Sequence, residues 1–189
     1  MARKVSIRFA ARSSKGFSLI ELVTVVGIVA VLMGLGATSF RYITNSNRIS
    51  AEINGLLGDL QYARAEAMKE GRTVTVCASA DGATCTGTPV WTGGWIVFSD
   101  PTNIGTLDPG ETLLRVQKPL ANGDTLQDAG GAIAAVTFNR AGFAVNLPGL
   151  ANALTLHDST ASSSWTRCLS ITSAGMMAAQ THVTTAGCL

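Results

Sequence analysis

The sequence predicts an α+β protein in which a long N-terminal helix packs on an antiparallel β-sheet head. Residues 17–40 are almost entirely apolar, and residues 49–67 carry an apolar stripe at helical spacing. After residue 71 the chain alternates short β-prone segments with turn signals. Many short strands joined by turns favour antiparallel pairing, so helix and strands are expected to segregate along the chain.

The charge of the chain is unevenly distributed. The 189 residues contain 14 Lys and Arg against 12 Asp and Glu, a formal charge of +2. Five of the basic residues lie in residues 1–16, which contain no acid, so the remainder has 9 basic and 12 acidic side chains, or −3. A mildly acidic remainder argues against phosphate-backbone binding as its main function. With 47% apolar and 14% charged residues, a disordered tail or a charged coiled coil is excluded.

Residues 17–40 have the length and composition of a membrane-spanning helix. Glu21 is their only charge, and a helix of this length extends about 36 Å, enough to cross the hydrocarbon of a bilayer. The preceding basic residues indicate a cytoplasmic N-terminus. An ordinary cleaved signal peptide and a plain single-pass anchor are the alternatives. Neither accounts for Glu21, because an unpaired carboxylate inside a membrane helix costs about 2–3 kcal/mol or more.

The residues around Glu21 resemble a known processing signal. Residues 15–22, Lys-Gly-Phe-Ser-Leu-Ile-Glu-Leu, followed by the apolar run, are similar to the class III signal of type IV prepilins and type II secretion pseudopilins. The resemblance implies that a prepilin peptidase cleaves between Gly16 and Phe17 and methylates the new amino group of Phe17. It also implies that Glu21 pairs with the N-terminal amine of a neighbouring subunit, which would satisfy two buried charges at once.

Four segments are expected along the chain. Residues 1–16 form a cytoplasmic leader that is cleaved off, and residues 17–40 form a transmembrane helix. Residues 41–71 form the amphipathic helix of a pilin stem, and residues 72–189 form a β-rich globular head. The protein is therefore expected in the bacterial inner membrane as a single-pass protein with its head in the periplasm, and then in a pilus or pseudopilus.

An apolar stripe follows the membrane segment. Its members, separated by alternating steps of four and three residues, are Ile49, Ile53, Leu56, Leu60, Ala63 and Ala67. This spacing predicts an amphipathic helix, and Gly71 supplies a C-terminal stop. The stripe is interpreted as a face that packs on the protein's own sheet, with a coiled-coil seam to a partner as the alternative.

The head is predicted to contain seven strands. They cover residues 73–78, 95–99, 112–116, 135–138, 154–157, 168–172 and 181–185. The sequences of residues 61–67, 71–77, 94–100 and 110–116 look like the GspH/FimT type of minor pilin and pseudopilin. This similarity weakens after residue 118. Tyr62 is expected at the helix–sheet interface and Trp95 in the core.

The cysteines predict disulfides. The chain contains Cys77, Cys85, Cys168 and Cys188, which allow three pairings. An exported head lies in an oxidising compartment, where disulfides are favoured over thiol catalysis or structural zinc. We expect Cys77 to pair with Cys85 and Cys168 with Cys188, because each bridge closes one strand–loop unit. The spacings alone leave the connectivity open.

No sequence motif indicates catalysis. The patterns GxSxG, HExxH, GxGxxG and the P-loop are all missing, so no enzyme activity, cofactor or metal is expected. His157 and Asp158 are adjacent, which in a strand places their side chains on opposite faces. One loop is rich in side-chain oxygens, from Asp100, Asn103, Asp108 and Glu111. Its spacing differs from an EF-hand, so turn chemistry is the preferred interpretation and calcium binding the alternative.

Two classes of function agree with these features. The first is structural: a minor pilin that enters the tip or initiating complex of a type IV pilus, with other pilin subunits and an inner-membrane assembly platform as partners. A type II secretion pseudopilin is the alternative within this class. The second is DNA binding in natural transformation, which some FimT-type proteins are thought to carry out through a C-terminal Gly-Arg-x-Arg motif. Residues 173–179 keep the Gly without an arginine, so nucleic acid is not an expected partner.

Overall fold

A long helix and eight strands make up the computed structural model of this chain, which describes residues 16–102, 104–128, 130–149 and 151–181. Within these ranges it describes all side chains except those of residues 35–39, 41 and 151. The chain divides into two compact units between Ile43 and Thr44. The second unit contains all of the described strands.

The helix α1 spans Leu19–Glu70. It ends where predicted, because Gly71 adopts a φ of +68° and its N–H donates to the carbonyl of Ala67 at 3.0 Å. All six residues of the apolar stripe are at most 2% exposed, from Ile49 to Ala67. They belong to one core cluster with residues of both sheets, so packing on the protein's own sheets is confirmed for this face.

The strands form two antiparallel sheets of four. Their bounds are β1 Val74–Ala78, β2 Trp95–Ser99, β3 Leu113–Gln117, β4 Thr125–Asp128, β5 Ala135–Phe138, β6 Ala151–His157, β7 Arg167–Thr172 and β8 Met177–Thr181. The first sheet has the order β3-β2-β1-β5 and the second the order β4-β6-β7-β8. The predicted α+β fold with an antiparallel head is confirmed.

Both sheets contribute to the core under α1. Alternate residues of β1, Val74 and Val76, face this core, and Leu154 and Leu169 contribute from the second sheet, where they are cross-strand partners. Trp95 is 1% exposed, and its indole nitrogen donates to Asp59 Oδ2 on α1 at 2.9 Å. Residues of α1 and of both sheets therefore form one common core.

The opposite face of the first sheet is also covered. Cys77, Ile96 and Phe98 are fully buried there, with Cys85 and Leu107 packed against them from the neighbouring loops. Consequently β1 and β2 are buried along their whole length, on both faces. This agrees with their sequences, Val-Thr-Val-Cys-Ala and Trp-Ile-Val-Phe-Ser, which contain no charged residue.

Three strand predictions need correction. The strand β4 was not predicted, because Leu126 is its only core residue and the other three, Thr125, Gln127 and Asp128, give little strand signal. Its pairing with β6 forms the strand. The last described strand is Met177–Thr181, where residues 181–185 were predicted. It forms earlier because the turn before it returns the chain directly along β7. Residues 182–185 lie outside the described residues. The strand β6 begins at Ala151, ahead of the predicted 154.

Candidate assembly segment and the contacts of the head

The predicted cleavage junction lies immediately before α1. Residues 16–18 are not helical, and the carbonyl of Ser18 accepts the first helical hydrogen bonds, from Glu21 N at 3.0 Å and Leu22 N at 3.1 Å. Phe17 is 83% exposed. An exposed peptide bond outside regular structure is the geometry that a peptidase requires. Lys15, the basic residue of the predicted signal, lies outside the described residues.

Glu21 lies in the first turn of α1. The side chain is exposed, and the backbone carbonyl of Glu21 accepts a hydrogen bond from the hydroxyl of Thr24 at 2.9 Å. A carboxylate in this position is favoured by the partial positive charge of the helix N-terminus, by about 0.3–1 kcal/mol. That contribution is smaller than the cost of a carboxylate in a membrane, so a cationic partner is still required if the segment is inserted.

The first part of α1 is apolar and uncovered. Its exposed apolar side chains are Phe17, Leu19, Ile20, Leu22, Val23, Val25, Val26, Ile28, Val29, Val31, Leu32 and Met33. A helix that is apolar on every side is normally buried in lipid or among other helices, and an exposed patch of this size marks an interaction surface. Among the described residues, no helix is both long and apolar enough to cross a membrane.

Polar contacts hold α1 to the head in the turns that follow Thr44, where the second unit begins. Arg48 forms a bidentate ion pair with Asp124, at 2.7 and 2.8 Å. Asp158 is buried, which opposes its ionisation, but hydrogen bonds from Thr160, Ser162 and Asn45 outweigh burial and lower its pKa. These contacts connect α1 to the loop before β4 and to the loop after β6.

The middle of α1 is held to the first sheet. Asp59 accepts hydrogen bonds from Trp95 at 2.9 Å and from Arg115 Nη1 at 2.8 Å. The guanidinium of Arg115 also lies 3.7 Å from the ring centre of Tyr62. Tyr62 packs against the core cluster, so its predicted place at the helix–sheet interface is confirmed.

The last turns of α1 form a groove with the turn between β7 and β8. The groove has a volume of about 420 Å³ and is lined by Gln61, Arg64, Ala65, Met68, Gly175, Met176 and Met177. Arg64 donates through Nε to the carbonyl oxygen of Gly142 at 2.9 Å. The glycine of residues 173–179 thus has a packing role, since its backbone closely approaches Gly142 and Arg64.

The oxygen-rich loop is engaged in its own hydrogen bonds. Asp100 is fully buried, and its Oδ2 accepts from Thr75 at 2.8 Å and from Gly105 N at 2.7 Å. The Glu111 carboxylate accepts from Thr102 and from the Asp108 N–H. In the described part of the chain, no group of three or more acidic, Cys or His residues is arranged to hold a metal ion. Asn103 lies outside the described residues.

His157 is likewise engaged within the head. Its Nδ1 lies 3.0 Å from the hydroxyl of Thr166, and Asp158 next to it is used by Asn45 and Thr160. The two residues are therefore committed to separate hydrogen bonds. This arrangement agrees with a structural role for the histidine.

One of the two predicted disulfides joins Cys77 and Cys85. The loop that it closes is stabilised by Asp81, whose carboxylate accepts hydrogen bonds from Ala83 N, Thr84 N and the Thr84 hydroxyl. These bonds hold the pKa of Asp81 well below its usual range. Cys168 is also disulfide-bonded. Cys188 lies outside the described residues, so the pairing of Cys168 with Cys188 stays a prediction.

Replacement of Cys85 by serine is expected to lower the free energy of unfolding by about 2.5 kcal/mol, because the bridge restricts the unfolded chain. Denaturation of the oxidised full-length protein measures this loss. The wild-type protein in a reducing buffer is the control, since the difference between the two proteins should then largely disappear. A variant as stable as the oxidised wild type would contradict the prediction.

A long helix packed on antiparallel sheets, with a prepilin-like junction ahead of it, defines the class of type IV pilin-like filament subunits. The fold matches a crystal structure, in space group P21, of the type IV minor pilin FimU from Pseudomonas aeruginosa strain PAO1. The TM-score is 0.55 and the sequence identity 22%, and the match covers 75% of this chain and 92% of that chain. The structure of FimU in space group P65 matches with a TM-score of 0.49 and 20% identity, over 72% and 90% of the two chains.

The profile of the family "Type II transport protein GspH" matches residues 52–175, and the profile of the prokaryotic N-terminal methylation motif matches residues 11–37. The chain belongs to the GspH family. It is thus a pilin-like minor pilin or pseudopilin, as the resemblance implied, and its family consists of structural proteins that assemble with other pilin subunits. No curated protein matches the chain.

The ion pair between Arg48 and Asp124 was not predicted. Asp124 follows 76 residues after Arg48 and is placed beside it by the tertiary fold alone. No local signal in the sequence could have linked these two residues.

Proposed function

We propose that this protein is a minor pilin that enters the tip or initiating complex of a type IV pilus through its apolar N-terminal helix. The observation that carries the proposal is the uncovered apolar surface of residues 17–33, with Glu21 in the first helical turn. An apolar surface of this size is unfavourable in water, so we expect lipid or other apolar helices to cover it. A filament core of packed subunit helices supplies that cover.

Processing is the first step of this function. A prepilin peptidase would cut the exposed bond between Gly16 and Phe17 on the cytoplasmic side and methylate the amino group of Phe17. Residues 17–40 would anchor the subunit in the bacterial inner membrane, with the head in the periplasm. The run of apolar residues from 22 to 37 and the basic residues before it support this topology.

Assembly is the second step. An inner-membrane assembly platform would draw the subunit from the bilayer into the growing filament. Pairing of Glu21 with the N-terminal amine of a neighbour would fix the axial position of the helix, because only one register neutralises both buried charges. The head would then contact the heads of neighbouring subunits.

The processing step predicts the intact mass of the protein. Material extracted from membranes of the native host should lack residues 1–16 and carry one methyl group on Phe17. Intact-mass spectrometry measures this directly, and Gly16→Leu serves as the matched variant that should retain the leader. A wild-type protein that retains residues 1–16 would refute processing at this bond.

A pseudopilin of a type II secretion system is the second candidate, and the match to the family of type II transport protein GspH favours it. The two candidates share the signal and the head fold, so a phenotype must separate them. Deletion of the gene should abolish twitching and reduce pilus number if the pilus assignment is right. Loss of secreted enzyme activity with normal piliation would establish the pseudopilin instead.

Among the residues that the structure describes, no contact of the head favours DNA binding. The turn at residues 173–176 contains no cation, and the nearby Arg64 is hydrogen-bonded to Gly142. Phosphate contacts by Lys and Arg supply most nonspecific affinity for DNA. A gel-shift experiment with the full-length protein in detergent should therefore show no salt-sensitive complex.

A further inference from the structure

The strand β8 is an exposed and uncharged edge of the second sheet. Its sequence is Met-Ala-Ala-Gln-Thr, and every residue after Met177 is exposed. It pairs with β7 alone, in a regular register from Ile171 opposite Met177 to Arg167 opposite Thr181. Native edge strands are usually protected from pairing with another chain by charges, proline or a β-bulge. The strand β8 contains none of these.

The free side of β8 presents main-chain hydrogen-bonding groups. In an antiparallel pair, residues that bond the neighbouring strand alternate with residues whose N–H and C=O point away from it. The N–H of Thr172 donates to the carbonyl of Met176 at 2.9 Å, so Met176 and then Ala178 face β7. The N–H and C=O of Met177 and Ala179 therefore point to the open side, where an added strand would find donors and acceptors.

The other three sheet edges are covered or protected. Trp91 donates to the carbonyl of Leu126 on β4 at 2.7 Å, and Val145 donates to the carbonyl of Thr137 on β5 at 2.9 Å. Loops of the chain itself thus cover β4 and β5. The strand β3 contains a register shift in its pairing with β2 and a charged residue, Arg115, at its centre. Within the part of the chain that the structure describes, β8 alone is a regular and uncovered edge.

The groove at the last turns of α1 opens beside the start of β8. It has a volume of about 420 Å³, and Gly175, Met176 and Met177 form one of its walls. Met68 is 47% exposed and Met176 68% exposed, so two flexible thioether side chains border it. Arg64 is the only charged residue among the described residues that line it. The groove therefore fits an apolar side chain with a carboxylate close to it.

We propose that β8 and this groove together bind, as an additional strand, an extended segment of a neighbouring pilin subunit that carries an apolar and an acidic side chain. The inference rests on the proposed function, which supplies subunit heads as neighbours. The main chain of the segment pairs with Met177 and Ala179. Alternate side chains of a strand point to the same face, so one apolar side chain of the segment enters the groove, and the carboxylate lies near Arg64.

Charge distinguishes this partner from two other possible occupants. A second copy of the chain that paired through its own β8 would bring no carboxylate, because β8 contains neither Asp nor Glu. Residues 182–189, which follow β8 in the same chain, also contain neither. A segment of another subunit with an acidic side chain would satisfy both the strand edge and the guanidinium of Arg64.

Peptide binding to the full-length protein in detergent tests the proposal. The probes are fluorescein-labelled peptides of about 12 residues, slightly longer than a typical strand, that cover the heads of the other pilin-like proteins of the native host. We expect fluorescence polarisation to detect binding of a peptide in which Asp or Glu lies close to a large apolar side chain. Absence of any such complex would overturn the proposal.

Ala179→Pro makes this test specific for the strand edge. Proline removes the N–H on the open side and is tolerated at such a position of an edge strand, so the pairing with β7 is kept. The variant should bind the peptide at least about tenfold more weakly, while its melting temperature changes by less than about 3 °C. Ala179→Thr is the matched control, because it keeps the N–H and should bind as the wild type does. Equal binding by Ala179→Pro and the wild type would contradict strand addition.

Met176→Glu tests the groove independently of the strand backbone. Met176 is largely exposed, so the variant should fold, and a carboxylate beside Arg64 should weaken peptide binding by about tenfold. Met176→Leu keeps an apolar side chain and is the matched control. Unchanged binding by Met176→Glu would refute the role of the groove.

Photo-crosslinking in the native host identifies the partner. A benzophenone-bearing residue at position 178 should link to an extended segment of another pilin subunit, which mass spectrometry maps. A cross-link to a second copy of this chain or to residues 182–189 would overturn the assigned partner. The peptide measurement requires no filament, so a protein that binds a peptide but never enters filaments would refute the proposed function alone. A protein that enters filaments but binds no peptide would refute the strand site alone.

Discussion

Replacement of Glu21 by alanine is expected to leave processing intact and to reduce incorporation into filaments by at least about tenfold. In the proposed processing step the peptidase would act at the bond between Gly16 and Phe17, several residues before Glu21 and outside α1. Incorporation, in contrast, would leave the amine of a neighbouring subunit buried without a counter-charge, at a cost of about 3–5 kcal/mol. Immunoblots of the membrane and sheared-filament fractions measure the two steps separately.

Two further variants make this experiment specific. Thr24→Ala removes a side chain one turn later in the same helix. The hydroxyl of Thr24 donates a hydrogen bond to the backbone carbonyl of Glu21, so its loss leaves the carboxylate of Glu21 in place. This variant should assemble normally. Glu21→Gln keeps the shape of the side chain without its charge and should fail as Glu21→Ala does. Normal incorporation of Glu21→Gln would show that charge pairing does not set the register.

Replacement of Gly175 by alanine is expected to lower the free energy of unfolding by about 3 kcal/mol or more. A Cβ at this position would lie 2.1 Å from the carbonyl oxygen of Gly142 and 3.0 Å from Nε of Arg64. The φ of Gly175 is +75°, which adds the strain of an L-residue in the left-handed region. The two turns must therefore separate, and the hydrogen bond from Arg64 to Gly142 would be disturbed.

Comparison with Gly71→Ala separates the cost of backbone strain from the cost of the steric clash at Gly175. Gly71 has a similar φ of +68°, but a Cβ there meets no atom within 4 Å. Its replacement should cost only about 1–2 kcal/mol. Denaturant unfolding of both full-length variants gives the two values, and equal losses would show that the approach of Gly175 to Gly142 contributes nothing.

The stem helix could be predicted from the sequence because its signal is local. Ile49, Leu56 and Ala67 recur at helical spacing, and every member of the stripe is buried. The doubly buried strands β1 and β2 were also predictable, because their sequences are rich in β-prone residues. In contrast, β4 contains one core residue, Leu126, and its strand form depends on pairing with a segment that follows later in the chain.

The residues proposed to function in assembly and those that hold the head together divide in the same way. The junction at Gly16 and Phe17 and the charge at Glu21 form a contiguous motif, so they are recognisable in the sequence itself. The ion pair of Arg48 and Asp124, which holds α1 to the head, is not recognisable there, because it joins residues that are 76 positions apart in the sequence. In the sequence, the glycine at position 175 stands out only through its likeness to part of a DNA-binding motif, whereas the structure gives it a packing role.

The shared core under α1 would constrain when the head can fold during the proposed export. In that topology, residues of the stripe such as Ile49 and Leu60 would reach the periplasm first, yet their core partners include Ile171, more than 100 residues later in the chain. Contacts between residues so far apart in sequence form slowly. The stripe would therefore have to stay shielded until most of the head has emerged. Any recombinant fragment intended to fold alone should retain residues 44–70.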